Sequence, residues 1–104
     1  ADQLTYNRFL AAQAHERSLS IGLKNDLEQV QDLVADFDWA LNEQCHEYSE
    51  CHLLAPFVFA GKAVFGVEYQ LEPSAFCPAA NAAGFSFQKK HWDLDAWRHD
   101  CLVD

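Results

Sequence analysis

A chain of 104 residues with a net charge of −9 is long enough for one small domain with a single core, taken as residues 1–104. Its acidity argues against a phosphate backbone as partner. Half of the residues are apolar, with three Trp and eight Phe, which excludes a disordered chain, and no apolar run reaches a membrane-spanning length.

Chain order then gives a repeating pattern. Residues 4–14 place Leu4, Tyr6, Phe9, Leu10 and Ala14 at roughly helical spacing, with Asp2 or Thr5 as the cap. The stretch 19–25, LSIGLKN, reads as a short buried strand. Asp26 with Gln29 forms a capping-box pattern, and Leu27, Val30, Leu33 and Val34 make one apolar helical face. Residues 37–43, FDWALNE, are a second strand. A helix within 49–60 follows, Pro56 either standing in its first turn or kinking it, and Gly61 takes the C-terminal position. AVFGVEY (63–69) is the third strand. A helix over 74–83 ends at Gly84, FSFQK (85–89) is the fourth strand, and a short helix around 93–99 closes the chain.

Strands recurring about every 20–25 residues with helices between them predict parallel strands joined by right-handed crossovers. The expected fold is therefore α/β: about four parallel strands alternating with helices, as in half of a (βα)8 TIM barrel or a small open sheet. Neither a dinucleotide-binding glycine fingerprint nor a phosphate-binding loop occurs, so no cofactor is expected.

In such folds the chemistry gathers at the carboxyl ends of the strands. Those ends carry Lys24 and Asn25, then Asn42, Glu43 and Gln44, then Glu68 and Tyr69, then Lys89 and Lys90. Amides, carboxylates and amines together suit a polyhydroxylated ligand. The plainer reading is that Asn25 and Asp26 are turn and cap residues and that the lysines are solvated. Glu43 is the sharpest candidate, because it directly follows the apolar Trp39–Leu41 stretch and Asn42. Partial burial there is expected to raise its carboxyl pKa toward that of a general acid. Glycoside cleavage needs a second carboxyl, and Glu68 is the one with comparable placement.

The stretch LNEQCHEYSECHLLAPF (41–57) contains two Cys-His pairs. Zinc knuckles favour two to four residues between cysteines, whereas Cys45 and Cys51 are separated by five. A disulfide between Cys45 and Cys51, clamping the segment after Glu43, is the better reading, and no metal is expected. Cys77 and Cys101 form a possible second bridge, tying the tail to the last helix. An even set of four cysteines fits two disulfides in an exported protein, although four cytosolic thiols would give the same count. The chain has no Met, position 1 included, and no leader opens it. That points to a chain processed or cut from something longer.

The segment YNRFLAAQAHERSLSIGLKNDLEQVQDLVADFDWALNEQCHEYSEC, followed by LLAPFVFAGKAVFGVEY, resembles the carboxy-terminal half of glycoside hydrolase family 114. The resemblance runs from Ala1 to DLDAWR (93–98), with GLKND, ALNEQC and VEY in order. It implies a TIM-barrel enzyme related to endo-α-1,4-polygalactosaminidases and an extracytoplasmic or secreted location. On that resemblance Glu43 matches the catalytic glutamate. Lys24, Asn25, Asn42, Glu68, Tyr69 and Lys90 match positions lining the sugar cleft, and Cys45 and Cys51 match a disulfide beside it. Family enzymes are roughly twice this length. Their other catalytic acid, an aspartate, lies upstream of this chain, so whether this segment is an enzyme by itself is left open. FSFQKK is also more polar than a barrel interior, which sets Lys90 apart.

A half barrel leaves strand edges and an inner face uncovered, so a homodimer or higher homo-oligomer completing the sheet is the expected partner unless 91–104 covers an edge. The acidic surface fits a cationic aminosugar polymer as ligand; acidity that only maintains solubility is the plainer alternative. No nucleic acid and no membrane are expected. Three functional readings follow. The first is a glycosidase fragment, weak or inactive alone. The second is a non-catalytic folding unit or carbohydrate-binding domain that self-assembles. The third is a metal module on Cys45, His46, Cys51 and His52.

Overall fold

The computed structural model of the chain describes residues 2–95 and 97–103. Helix α1 (Asp2–Glu16) leads into strand β1 (Gly22–Lys24), then a 3-10 turn and helix α2 (Val30–Leu33). Strand β2 (Trp39–Glu43) follows. Next come a second 3-10 turn, helix α3 (Ala55–Phe59), strand β3 (Ala63–Glu68) and helix α4 (Pro73–Ala82). Strands β4 (Ser86–Lys90) and β5 (Arg98–Asp100) complete the order, with a last 3-10 turn at Cys101–Val103.

The five strands form one sheet in the order β1-β2-β3-β4-β5. The first four are parallel, in the register Lys24↔Leu41↔Phe65↔Ser86, and β5 runs antiparallel to β4. This is part of a TIM barrel. Alternation along each strand sorts the side chains onto two faces. Leu23, Ala40, Val64 and Phe87 are buried toward the helices, where Val30, Leu33, Phe57, Phe76 and Ala80 complete the core. Trp39, Leu41, Phe65 and Val67 lie on the other face, where a barrel would have its interior. A depression of about 340 Å³ opens there, lined by Leu41, Phe65, Val67, Gln88 and Leu102 among others.

Helices α3 and α4 end in the same way. At Gly61 (φ 73°) and Gly84 (φ 82°) the backbone enters the left-handed region, where a Cβ is strained. Beyond them Lys62 N–H donates to Phe57 O and Phe85 N–H to Ala80 O, closing a Schellman motif at each end. Both turns deliver the chain directly into the next strand. Pro56 stands in the first turn of α3, where its missing N–H has no cost.

Several local expectations are corrected. Asp26 takes a left-handed conformation (φ 52°) and makes no side-chain cap. An N-cap residue needs extended geometry. Gln29, its supposed box partner, accepts from Asn7 Nδ2 at 3.3 Å. Thr5 lies inside α1 and so is not its cap, and the side chain of Asp2 lies outside what is described. Of the predicted apolar face of α1, Tyr6, Phe9 and Leu10 are exposed; Ala11 is the buried residue. The helix expected within 49–60 is present, as a 3-10 turn at Cys51–Leu54 followed by the short α3.

Among the described residues around 93–99 no helix forms; Ala96 lies outside them. The chain turns at His91–Leu94 and pairs as β5 with β4. The physical cause is the edge of β4, whose unpaired backbone groups need a partner, together with a Cys77–Cys101 disulfide that draws the tail onto α4. That sheet edge is therefore covered within the chain. Among the described residues no helix is long and apolar enough to cross a membrane.

Candidate active site

Glu43 is the last residue of β2 and shares the barrel-facing side with its register neighbour Val67. Asn25, just past the end of β1, positions it. The Asn25 backbone turns left-handed (φ 56°), and its amide N–H donates to Leu41 O at 2.8 Å. Its side-chain oxygen accepts the Glu43 N–H at 2.8 Å, and its Nδ2 reaches Glu43 Oε1 at 3.4 Å. On the other flank, Tyr69 donates its hydroxyl to Glu43 Oε2 at 2.6 Å. The Lys24 ammonium stands 3.8 Å from Oε1.

These contacts decide the state of the carboxyl. The Tyr69 hydrogen bond, with help from Asn25 and Lys24, holds Glu43 below the ordinary glutamate pKa against a smaller opposing effect of burial. The side chain keeps 31% of its surface. Burial was expected to raise this pKa to suit a general acid; the result is the reverse, because donors outweigh desolvation. Glu43 is an ionised carboxylate, suited to act as nucleophile, base or cation stabiliser. Tyr69 shows the reciprocal effect: burial, then the carboxylate it serves, pushes its pKa up to about 12.

Asn42 and Glu68, both expected in the cleft, are not there. Alternation turns them toward the helix layer, and both are buried. Glu68 has 0% exposure, its Oε2 accepts the His46 N–H at 2.8 Å, and the backbone amide of Glu47 also bears on its carboxyl. It anchors the loop that leaves β2, and it faces away from Glu43, so it cannot act as its second carboxyl. Lys90 also stands apart, its ammonium donating to Asp95 O at 2.6 Å. Lys24, Asn25, Glu43 and Tyr69 are the predicted site residues that the structure brings together.

The Cys45–Cys51 bridge closes the loop after Glu43, and Cys77–Cys101 is the second bridge. With both sulfurs oxidised, Cys45 and Cys51 offer no thiolate, and the metal-module reading fails. His46 packs against Phe87 (4.8 Å between ring centroids) and Phe76. Burial lowers its pKa, which favours the neutral imidazole against these rings.

Lys89, named among the strand ends with solvation as its plainer reading, takes neither role: it donates to Leu71 O at 2.8 Å and fixes the loop after Tyr69. One residue of the cluster was missed. Trp92 stacks on Tyr69 with centroids 4.3 Å apart. Its position two residues past a strand end was the available signal.

The family model of glycoside-hydrolase family GH114 matches residues 1–103. The chain belongs to GH114. Consistent with this, it is similar to the crystal structure of Ega3 from Aspergillus fumigatus in complex with galactosamine, with 36% identity and a TM-score of 0.87. The similarity covers 97% of this chain and 45% of that one, so this GH114 segment spans less than half the length of Ega3. No curated protein matches it. The strand end that carries the Glu43 cluster is the carboxyl end, where barrel enzymes hold their chemistry.

Proposed function

We propose that this chain is the Glu43-bearing half of a glycoside hydrolase acting on α-1,4-linked galactosamine polymers, with Glu43 as its ionised catalytic carboxylate. One observation carries the reading: a carboxylate at a strand's carboxyl end, held charged by Tyr69, Asn25 and Lys24. GH114 membership supports the reaction class. The galactosamine bound in Ega3, together with the net charge of −9, supports an amine-bearing sugar as ligand. The two disulfides favour a secreted or extracytoplasmic setting.

Glycosidic cleavage uses two carboxyl groups on opposite sides of the bond. With Glu68 facing the helices, the isolated segment is a weak or inactive catalyst that retains ligand binding. The test pairs the parent chain with Glu43→Gln. Glu43→Gln is expected to abolish whatever hydrolysis of a deacetylated galactosaminide polymer the parent shows. It should also weaken binding of the amine-bearing oligomer about 5-fold, from loss of one partly screened charge. Unchanged hydrolysis or unchanged affinity removes Glu43 from the role.

The partner proposed for the uncovered barrel-facing side is a second copy of the chain. Phe65, Leu41 and Val67 lie on that side around the 340 Å³ depression, and an apolar surface of this kind is covered in a stable assembly. Because β5 occupies the β4 edge, this contact is made through the face. Light scattering over a dilution series should give a dimer mass that falls on dilution. A monomer at every concentration refutes the contact.

A further inference from the structure

Trp92 lies just beyond the carboxyl end of β4, with 57% of its surface exposed. Its inner face lies on the Tyr69 ring at 4.3 Å and 18°. Tyr69 is only 8% exposed and donates to Glu43 Oε2 at 2.6 Å. Carboxylate, phenol and indole are thus connected in one line, with a free aromatic face at its outer end. The turn bearing Trp92 is itself fixed: His91 stacks on Trp97 at 4.3 Å and 4°, and His91 Nδ1 meets Asp95 Oδ2 at 3.1 Å. The ring is held in place before any ligand arrives, so little side-chain freedom remains to be lost on binding.

We infer that the outer face of Trp92 is a sugar-binding platform for one amine-bearing residue of the polymer, adjoining the one served by Glu43. Two features of the ligand fit it. A pyranose ring presents an apolar C–H face of the kind that packs on an aromatic surface. An ammonium over the indole face is attracted by the ring quadrupole, Trp being the best of the aromatic side chains for this. Asp93 and Asp95 are exposed on the same turn and add negative potential for the amine. The inference rests on the galactosaminide reading above, and its test separates the two.

The experiment titrates the whole chain with an α-1,4-linked galactosamine oligosaccharide and with its N-acetylated counterpart, by calorimetry and proton NMR. The free-amine oligomer should bind more tightly, and its ring C–H protons should move upfield under the indole. Trp92→Ala should weaken it roughly 10-fold, within the range of a desolvated cation–π contact, and erase most of its advantage over the N-acetylated form. Trp92→Phe should retain much of the affinity, because it preserves a ring on Tyr69. Phe59→Ala, which removes an aromatic 88% exposed on α3, should change nothing. Binding that survives Trp92→Ala yet falls with Glu43→Gln overturns the platform alone. Absence of any oligomer binding to the parent overturns both readings. If Trp92→Ala does not fold, the parent spectrum decides: bound sugar without upfield shifts refutes the platform.

Discussion

Replacing Cys77 and Cys101 together by Ser is expected to lower stability by about 3 kcal/mol and to increase the chain's self-association. The bridge closes a segment with a sequence separation of 24, so its loss returns considerable freedom to the unfolded chain. The companion bridge at Cys45–Cys51 spans a separation of only 6, for which the same reasoning gives a smaller effect. The 77–101 bridge also has a local consequence. Cys101 is fully buried, its carbonyl accepts from Asn81 Nδ2 at 3.1 Å, and it directly follows the three-residue β5. A strand that short is not stable unaided. Once β5 is freed, the β4 edge presents a row of unpaired backbone groups that another chain can use. Thermal melting should show the lower midpoint, and light scattering should show mass beyond that of the parent at equal concentration. A normal midpoint with unchanged mass would mean that β5 holds without its staple.

That edge also shows where the sequence stops being informative. The four parallel strands could be read because the first three have apolar bodies of a few residues and the fourth, though more polar, directly follows the helix-ending Gly84. Gly61 and Gly84 marked real helix ends, because only a left-handed turn there brings the chain back to the sheet. The short helix expected around 93–99 did not form among the described residues. The actual course of this segment depends on a strand edge and a disulfide far away in sequence, and neither leaves a local trace. The site divides in the same way. Asn25, Glu43 and Tyr69 were found because strand ends gather polar groups. Asn42 and Glu68 were placed in the cleft because a list of strand-end residues does not say which face each one takes. Register decides that: Glu43 is level with Val67, so Glu68, one residue on, points the other way.

Glu68→Ala is therefore expected to act on stability, at a cost of about 3–5 kcal/mol. It empties a fully buried position and leaves the amides of His46 and Glu47 without their acceptor. Glu68→Gln keeps an acceptor oxygen and should instead change the pH dependence. Burial raises the folded-state pKa of Glu68, more than the two amide donors and against them, with the Glu47 charge adding to the rise. A carboxyl whose folded pKa lies above its unfolded value contributes stability that is complete below the unfolded pKa. That contribution disappears as pH rises through the folded pKa. The parent should therefore lose this contribution on going from about pH 4 to neutrality, and the Glu68→Gln protein should not. Glu43 and Asp38, whose pKa values are lowered, contribute in the opposite sense in both proteins and cancel in the difference. Chemical denaturation at a series of pH values gives that difference directly. A Glu68→Gln curve parallel to the parent's would mean that Glu68 is already charged in its buried position. A curve that crosses above the parent's toward neutral pH would identify Glu68 as a neutral acid anchoring the loop behind Glu43. In that case the charge in this half of the site would reside on Glu43, where Tyr69 and Asn25 hold it.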